Sequence, residues 1–188
     1  MQQQAHGPLE HPDHFYMQAS EGWLMLGDHL EALRELEWVS SAAQLHPAVL
    51  YQRWRILERQ RKWDECLSVS QALLDRFPKD PNAWITHANT IYFSGNPREA
   101  FLMLHPKLKE FPKVEAVPYN LACYKCQSGD MEEAVGWLKH ALQLGHPAEI
   151  RARALSDTDL QPLWTNIVTQ WDNWVKETRA KSSNPPLT

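Results

Sequence analysis

Cys123 and Cys126 form a Cys-x-x-Cys pair, and two thiols at that spacing can do two kinds of chemistry. At the start of a helix, the helix dipole lowers a thiol's pKa and makes such a pair a redox centre. Joined by a second pair, the thiolates hold zinc in a tetrahedron. This pair falls instead deep in a predicted helix, between Ala122 and Gly129, and the third cysteine, Cys66, is far away in sequence. Two small thiols packed on a helix face is the plainer reading. The nine histidines raise the metal question again, but His87, His105, His140 and His146 make no His-Glu-x-x-His and no tight pair. Their scatter reads as solvated or core histidine. Glu132 and Glu133 are adjacent carboxylates in the first turn of a predicted helix, where the dipole already accounts for them. No Gly-x-Ser-x-Gly, P-loop or Gly-x-Gly-x-x-Gly is present. The expectation is therefore a chain that is not an enzyme, with no catalytic residue, no metal and no cofactor. A metal or thiol-redox protein built on Cys123 and Cys126 is the third-ranked alternative.

The bulk properties bound the partners. The 188 residues suffice for one domain with a sizeable core, and 43 % hydrophobic with 22 % charged residues is ordinary for a globular protein. A formal charge of −4, with no basic cluster interleaved with aromatics, argues against nucleic acid. No apolar run approaches the roughly 20 residues of a membrane span. The polar segment Met1 to Pro12 lacks a secretory pattern. An odd number of cysteines fits a reducing compartment, so a cytoplasmic location is expected.

The elements that would position any site come from a repeat. Four segments align at a period of 34: 27–32, 61–66, 95–100 and 129–134, ending in Ala32, Cys66, Ala100 and Ala134. Ser20, Trp54, Ala88 and Ala122 each lie 12 residues earlier. Gly27, Gly95 and Gly129 end a first helix in the left-handed conformation. Asp28, Asn96 and Asp130 then cap a second, with Glu31, Glu99 and Glu133 at capping-box spacing. Pro97 opens its helix at the first position. The small residues let the two helices approach, and Pro78 and Pro112 stop the second helix.

These residues resemble the tetratricopeptide repeat family over about residues 13 to 147. Repeat three carries the pattern best, with Trp84, Ala88, Gly95, Ala100, Leu104 and Pro112; repeat four has Leu121, Ala122, Gly129, Ala134, Leu138 and Ala141. The run Pro118 to Tyr124 is similar to bacterial members. Repeat two departs from it, with Trp54 at a small position, Arg61 for glycine and Cys66 for alanine, so its helices are expected to spread or rotate. Repeat one places Pro47 three residues late, which implies an extra turn or a longer loop around Ser40 to Gln44. The resemblance implies an all-α, antiparallel helix-pair solenoid wound as a right-handed superhelix. The expected layout is a disordered segment 1–12 and a single domain 13–175. Its repeats are 13–46, 47–80, 81–114 and 115–147, followed by capping helices 148–175 and a disordered tail 176–188. Leu163, Trp164, Ile167, Val168, Trp171, Trp174 and Val175 form the apolar stripe of the last helix. A dimerisation or partner-docking helix is the other reading of that stripe.

In this family the first helices line a concave groove. The resemblance places Tyr51, Arg55, Asn82, Asn89, Tyr92, Phe93, Tyr119, Asn120 and Gln127 on it. Amides that can hold a peptide backbone, beside aromatics that can bury its side chains, suit an extended segment of a partner protein. Asn89 and Asn120 also match two positions of the family's five-residue carboxylate clamp, but Ile85, Ile150 and Ala154 stand where its basic residues should be. The expected function is a protein–protein interaction module. The alternative with the same fold is a small dimeric secretion-type chaperone or assembly factor holding an unfolded client.

Overall fold

The computed structural model describes residues 7–183, and every regular element among them is helical. The α-helices are α1 (Asp13–Met25), α2 (His29–Glu37), α3 (Pro47–Arg59), α4 (Trp63–Arg76), α5 (Pro81–Phe93), α6 (Pro97–Leu104), α7 (Ala116–Gln127), α8 (Met131–Leu144), α9 (Pro147–Ser156) and α10 (Trp164–Ser183). Two 3₁₀ turns, His105–Lys109 and Thr158–Leu163, interrupt the series. No helix among the described residues is long and apolar enough to cross a membrane.

The turns that join first and second helices share one geometry. Gly27, Gly95 and Gly129 sit at φ +82°, +99° and +84°. The next residue donates its N–H five residues back: Asp28 to the Trp23 carbonyl (2.9 Å), Asn96 to Ile91 (3.2 Å) and Asp130 to Lys125 (3.0 Å). This six-to-one bond satisfies a carbonyl that the helix end leaves open. Arg61 adopts the same conformation at φ 56°, with Lys62 N–H on the Leu57 carbonyl at 3.0 Å. The turn is thus kept in repeat two at the expense of a left-handed arginine.

The capping expectation holds at one site of three. Asp28 Oδ1 accepts from Glu31 N–H at 3.1 Å. Asn96 and Asp130 occupy the N-cap positions without a side-chain cap bond. The Asp130 carboxylate turns instead to the Lys125 ammonium at 3.2 Å, and a charged partner outcompetes a backbone amide for it. The stop expected at Pro112 also moves. α6 ends at Leu104 and a 3₁₀ turn continues from His105, because Pro106 has no N–H to carry the helix on.

The described residues divide into two compact units, with the division falling inside α5 between Thr90 and Ile91. In the first unit α1 packs on α2 and α3 on α4. Ser20 Oγ donates to the Ala32 carbonyl at 2.8 Å, so the close approach expected there is sealed by a hydrogen bond. Met17, Ala32, Leu36, Val39, Val49 and Ile56 form one core cluster; Leu50, Leu73, Leu74 and Ala83 form another. Cys66 is fully buried beneath the Trp54 carbonyl. The Trp54 indole N–H donates to Thr90 Oγ1 at 2.7 Å. Ser70 and His87 Nδ1 share a buried hydrogen bond of 2.9 Å, and burial lowers the His87 pKa, so the imidazole is neutral near pH 7. Trp38 is exposed.

In the second unit α7 packs on α8, with Ala122 and Ala134 fully buried. α10 lies against α8 and α9. Leu163, Ile167, Trp171 and Trp174 of the expected stripe are buried, whereas Val168 points to solvent. α10 does not stop near Val175. Thr178 is buried and Glu177 pairs with Lys139 at 2.6 Å, so residues read as a polar tail continue the helix to Ser183. Of the terminal segments expected to be disordered, 1–6 and 184–188 lie outside the described residues, and 7–12 lead into α1.

Left-handed backbone costs an L-residue with a Cβ about 1–2 kcal/mol, and part of that returns as chain entropy when glycine replaces it. Arg61→Gly is therefore expected to stabilise the protein by about 0.5–1 kcal/mol, read as a higher thermal midpoint. A lower midpoint would show that residue 61 is not left-handed.

Candidate functional site

The residues assigned to the groove fall in three settings. On α3, the half-buried Tyr51 hydroxyl donates to Asp80 Oδ2 at 2.7 Å, and burial with that carboxylate raises its pKa. Arg55 is exposed and donates to Gln52 Oε1 at 3.2 Å; Gln52 is itself buried and donates to Ser20 Oγ at 3.3 Å. Tyr51 is thus tied down by Asp80, while Arg55 keeps its side chain at the surface.

On α5, Asn82, Asn89 and Phe93 recur at spacings of seven and four, which puts them on one face of the helix over roughly 16 Å. Asn82 is exposed, and its N–H is capped by Asp80 Oδ1 at 2.9 Å. Asn89 is half-buried and Phe93 is 38 % exposed. Tyr92 sits beside this line, its ring 5.0 Å from Phe93 and 5.2 Å from Tyr124. Burial, with the nearby Asp159 carboxylate adding to it, raises its hydroxyl pKa.

On α7 the assigned residues meet their own chain. Tyr119 is 4 % exposed and Cys123 3 %. Both donate to Asp157 Oδ2, the hydroxyl at 2.9 Å and the thiol at 3.6 Å. The other oxygen of Asp157 accepts from Asp159 N–H at 3.0 Å. Gln127 Nε2 donates to the Asp159 carbonyl at 2.7 Å, and Asn120 Nδ2 to the Ala116 carbonyl of its own helix at 2.7 Å. The Arg153 guanidinium lies 3.6 Å over the Tyr119 ring and pairs with Glu115. Leu160 and Leu163, just beyond, are fully buried. Burying a leucine side chain is worth about 1.5–3 kcal/mol, so the 157–163 segment is part of the core and is not a loosely seated lid. The basic positions of the carboxylate clamp are closed too, since Ile85, Ile150 and Ala154 are all buried.

Cys123, Asp157 and Asp159 bring three potential metal-ligand atoms within 4.8 Å of one another. The Asp157 carboxylate is nevertheless engaged by three donors, a hydroxyl, a thiol and an amide. The arrangement is a hydrogen-bond hub that fastens the segment after α9 to α7. Burial raises the Cys123 thiol well above its usual range, with the two aspartates adding to the effect. Burial likewise pushes Cys126 up to about 11. Asp159 is also raised, first by burial and then by Asp157. Thiols held protonated in this way are poor nucleophiles. Asp157, Asp159 and Arg153 were not assigned to a site from the sequence. The one signal present was the Asp-x-Asp spacing, which lets the first carboxylate cap the second amide.

No protein-family model matches the chain, and no curated protein matches it. Solved structures share its fold. A thermophilic tetratricopeptide protein of Thermus thermophilus, TTC0263, aligns with a TM-score of 0.61 and 15 % identity, covering 87 % of this chain and 98 % of that one. The MamA RS-1 ArsTM double mutant aligns at 0.59 and 16 % identity, covering 95 % and 100 %. A MamA protein aligns at 0.57 and 13 % identity, covering 94 % and 96 %. At such identities the likeness is one of fold: an all-α, tetratricopeptide-like arrangement.

The raised thiols set a pH dependence. A group whose pKa is higher folded than unfolded favours the native state below its unfolded pKa, and that contribution is lost as pH climbs through the folded value. Cys66 and Cys126, both pushed to about 11, should therefore drain stability between roughly pH 9 and 11. Alkylation of the native protein at pH 8 should leave all three cysteines unmodified, as counted by intact mass. Rapid modification of Cys123 or Cys126 would contradict the burial described.

Proposed function

We propose that this tetratricopeptide-like chain is a protein-interaction scaffold that holds an extended segment of a partner protein along the exposed face of α5. The fold likeness supports a scaffold at the family level. The contrast between α5 and α7 carries the finer reading. Tyr119 on α7 is buried against the chain's own Asp157, whereas Asn82 and Phe93 on α5 are exposed at the surface. An amide offers both a donor and an acceptor to a peptide backbone. An exposed phenylalanine offers a flat apolar anchor, and aromatic residues are enriched at the cores of interfaces. Arg55 on α3 is a secondary position for the same kind of contact.

The test compares capture of partners from lysate of the source cell by three proteins of equal helicity: wild type, an Asn82→Ala, Asn89→Ala, Phe93→Ala variant, and a Tyr119→Phe, Gln127→Ala variant. A partner held by the first and third and reduced at least tenfold in the second (roughly 1.4 kcal/mol) is expected. Equal capture by all three overturns α5 as the docking helix.

A second reading, a dimeric chaperone-like assembly factor, draws on a different observation. Met25 (87 % exposed) and Leu26 (78 %) stand beside Leu30 around the first turn, an apolar group the fold leaves in water. Light scattering should then give twice the 21.8 kDa chain mass. A monomer at high concentration removes this reading.

A further inference from the structure

A cleft of about 540 Å³ lies between α6 and α8, and rings wall it. Phe101 stacks on His105 with centroids 5.2 Å apart. Trp137 meets these two edge-on at 6.0 and 5.3 Å, and His140 stacks on Trp137 at 6.0 Å. Lys125 of α7 closes one end, its ammonium 4.6 Å from the Phe101 centroid. That ammonium pairs with Glu133 at 2.6 Å and Asp130 at 3.2 Å.

Gly136, inside α8, lines the same cleft. A Cβ built there meets no atom within 4 Å, and its φ is not left-handed. Glycine in a helix interior is less stable than alanine. Neither packing nor backbone conformation at this position requires it, and its effect is to leave the cleft open between Glu133 and Trp137.

The chemistry of the walls selects an occupant. Lys125 and Glu133 of the lining balance, and Asp130, which also pairs with Lys125 beside the cleft, brings the three groups to one net negative charge. Ring faces attract cations. A guanidinium is planar, weakly hydrated, able to stack on an indole and able to fork onto a carboxylate; an ammonium does none of these as well. Burial lowers the His140 pKa, so its imidazole adds no positive charge near neutral pH.

We propose that the cleft between α6 and α8 receives an arginine side chain of a partner protein, its guanidinium stacked on Trp137 and paired with Glu133. This proposal does not depend on the α5 reading.

The test follows the Trp137 indole N–H by ¹⁵N NMR, assigned through Trp137→Phe, while acetyl-Gly-Ser-Arg-Ser-Gly-amide is added to the full chain. A saturable shift is expected, weakened at least tenfold when citrulline or lysine replaces the arginine. Gly136→Met should abolish the shift while the thermal midpoint stays the same or rises by about 2–4 °C. Glu133→Gln, which keeps shape and helix, should weaken the peptide at least tenfold. The proposal is overturned if the Trp137 signal does not move, if the citrulline or lysine peptide binds as well, or if Gly136→Met or Glu133→Gln binds like wild type.

Discussion

A backbone hydrogen bond that spans a left-handed residue governs this structure. At each of residues 27, 61, 95 and 129 the chain leaves a helix through positive φ, and the next amide reaches five residues back. That bond reverses the chain within two or three residues. The two helices it joins must then lie antiparallel, and their closest approach falls a fixed distance from the turn. Small side chains sit there at the first and fourth turns, Ser20 with Ala32 and Ala122 with Ala134, while the second pairs Trp54 with Cys66. The larger apolar residues on either side fill the remaining space, as Leu36 and Leu138 do.

Features that depend on one residue's own backbone or size are legible in the sequence. Glycine at a left-handed turn, proline at a first helical position and alanine at a tight crossing each state their reason locally. Features that depend on competition between partners are not. Asp28 caps its helix and Asp130 does not, and the difference is Lys125, which the capping pattern does not include. The stripe on α10 is legible at Ile167, Trp171 and Trp174 but misleads at Val168, because α10 turns that side toward water. The α7 positions are the least legible of all. Tyr119 and Gln127 take the helix positions expected of groove residues, yet their partners, Asp157 and Asp159, come from a segment whose path only the folded chain defines.

Each unit carries a buried polar cluster. In the first, Trp54, Thr90, Ser70 and His87 are joined by hydrogen bonds. In the second, Tyr119, Cys123 and Asp157 play the corresponding part. A related tie recurs across repeats: Tyr51 and Tyr119 occupy the same position two periods apart, and each donates its hydroxyl to an aspartate further along the chain, Asp80 and Asp157. An apolar contact tolerates sliding, whereas a hydroxyl on a carboxylate does not. These ties set where each following helix begins in a fold whose apolar contacts are otherwise much alike from pair to pair.

The tryptophans give the protein a built-in optical signature. Trp171 and Trp174 are sealed inside the second unit, while Trp38 stands in water on the first. An indole in an apolar interior and one in water differ in emission energy and in access to a dissolved quencher. The blue edge of the spectrum therefore belongs largely to the C-terminal helix, and the red edge to the N-terminal pair. A single unlabelled sample can report the loosening of either end by its own colour.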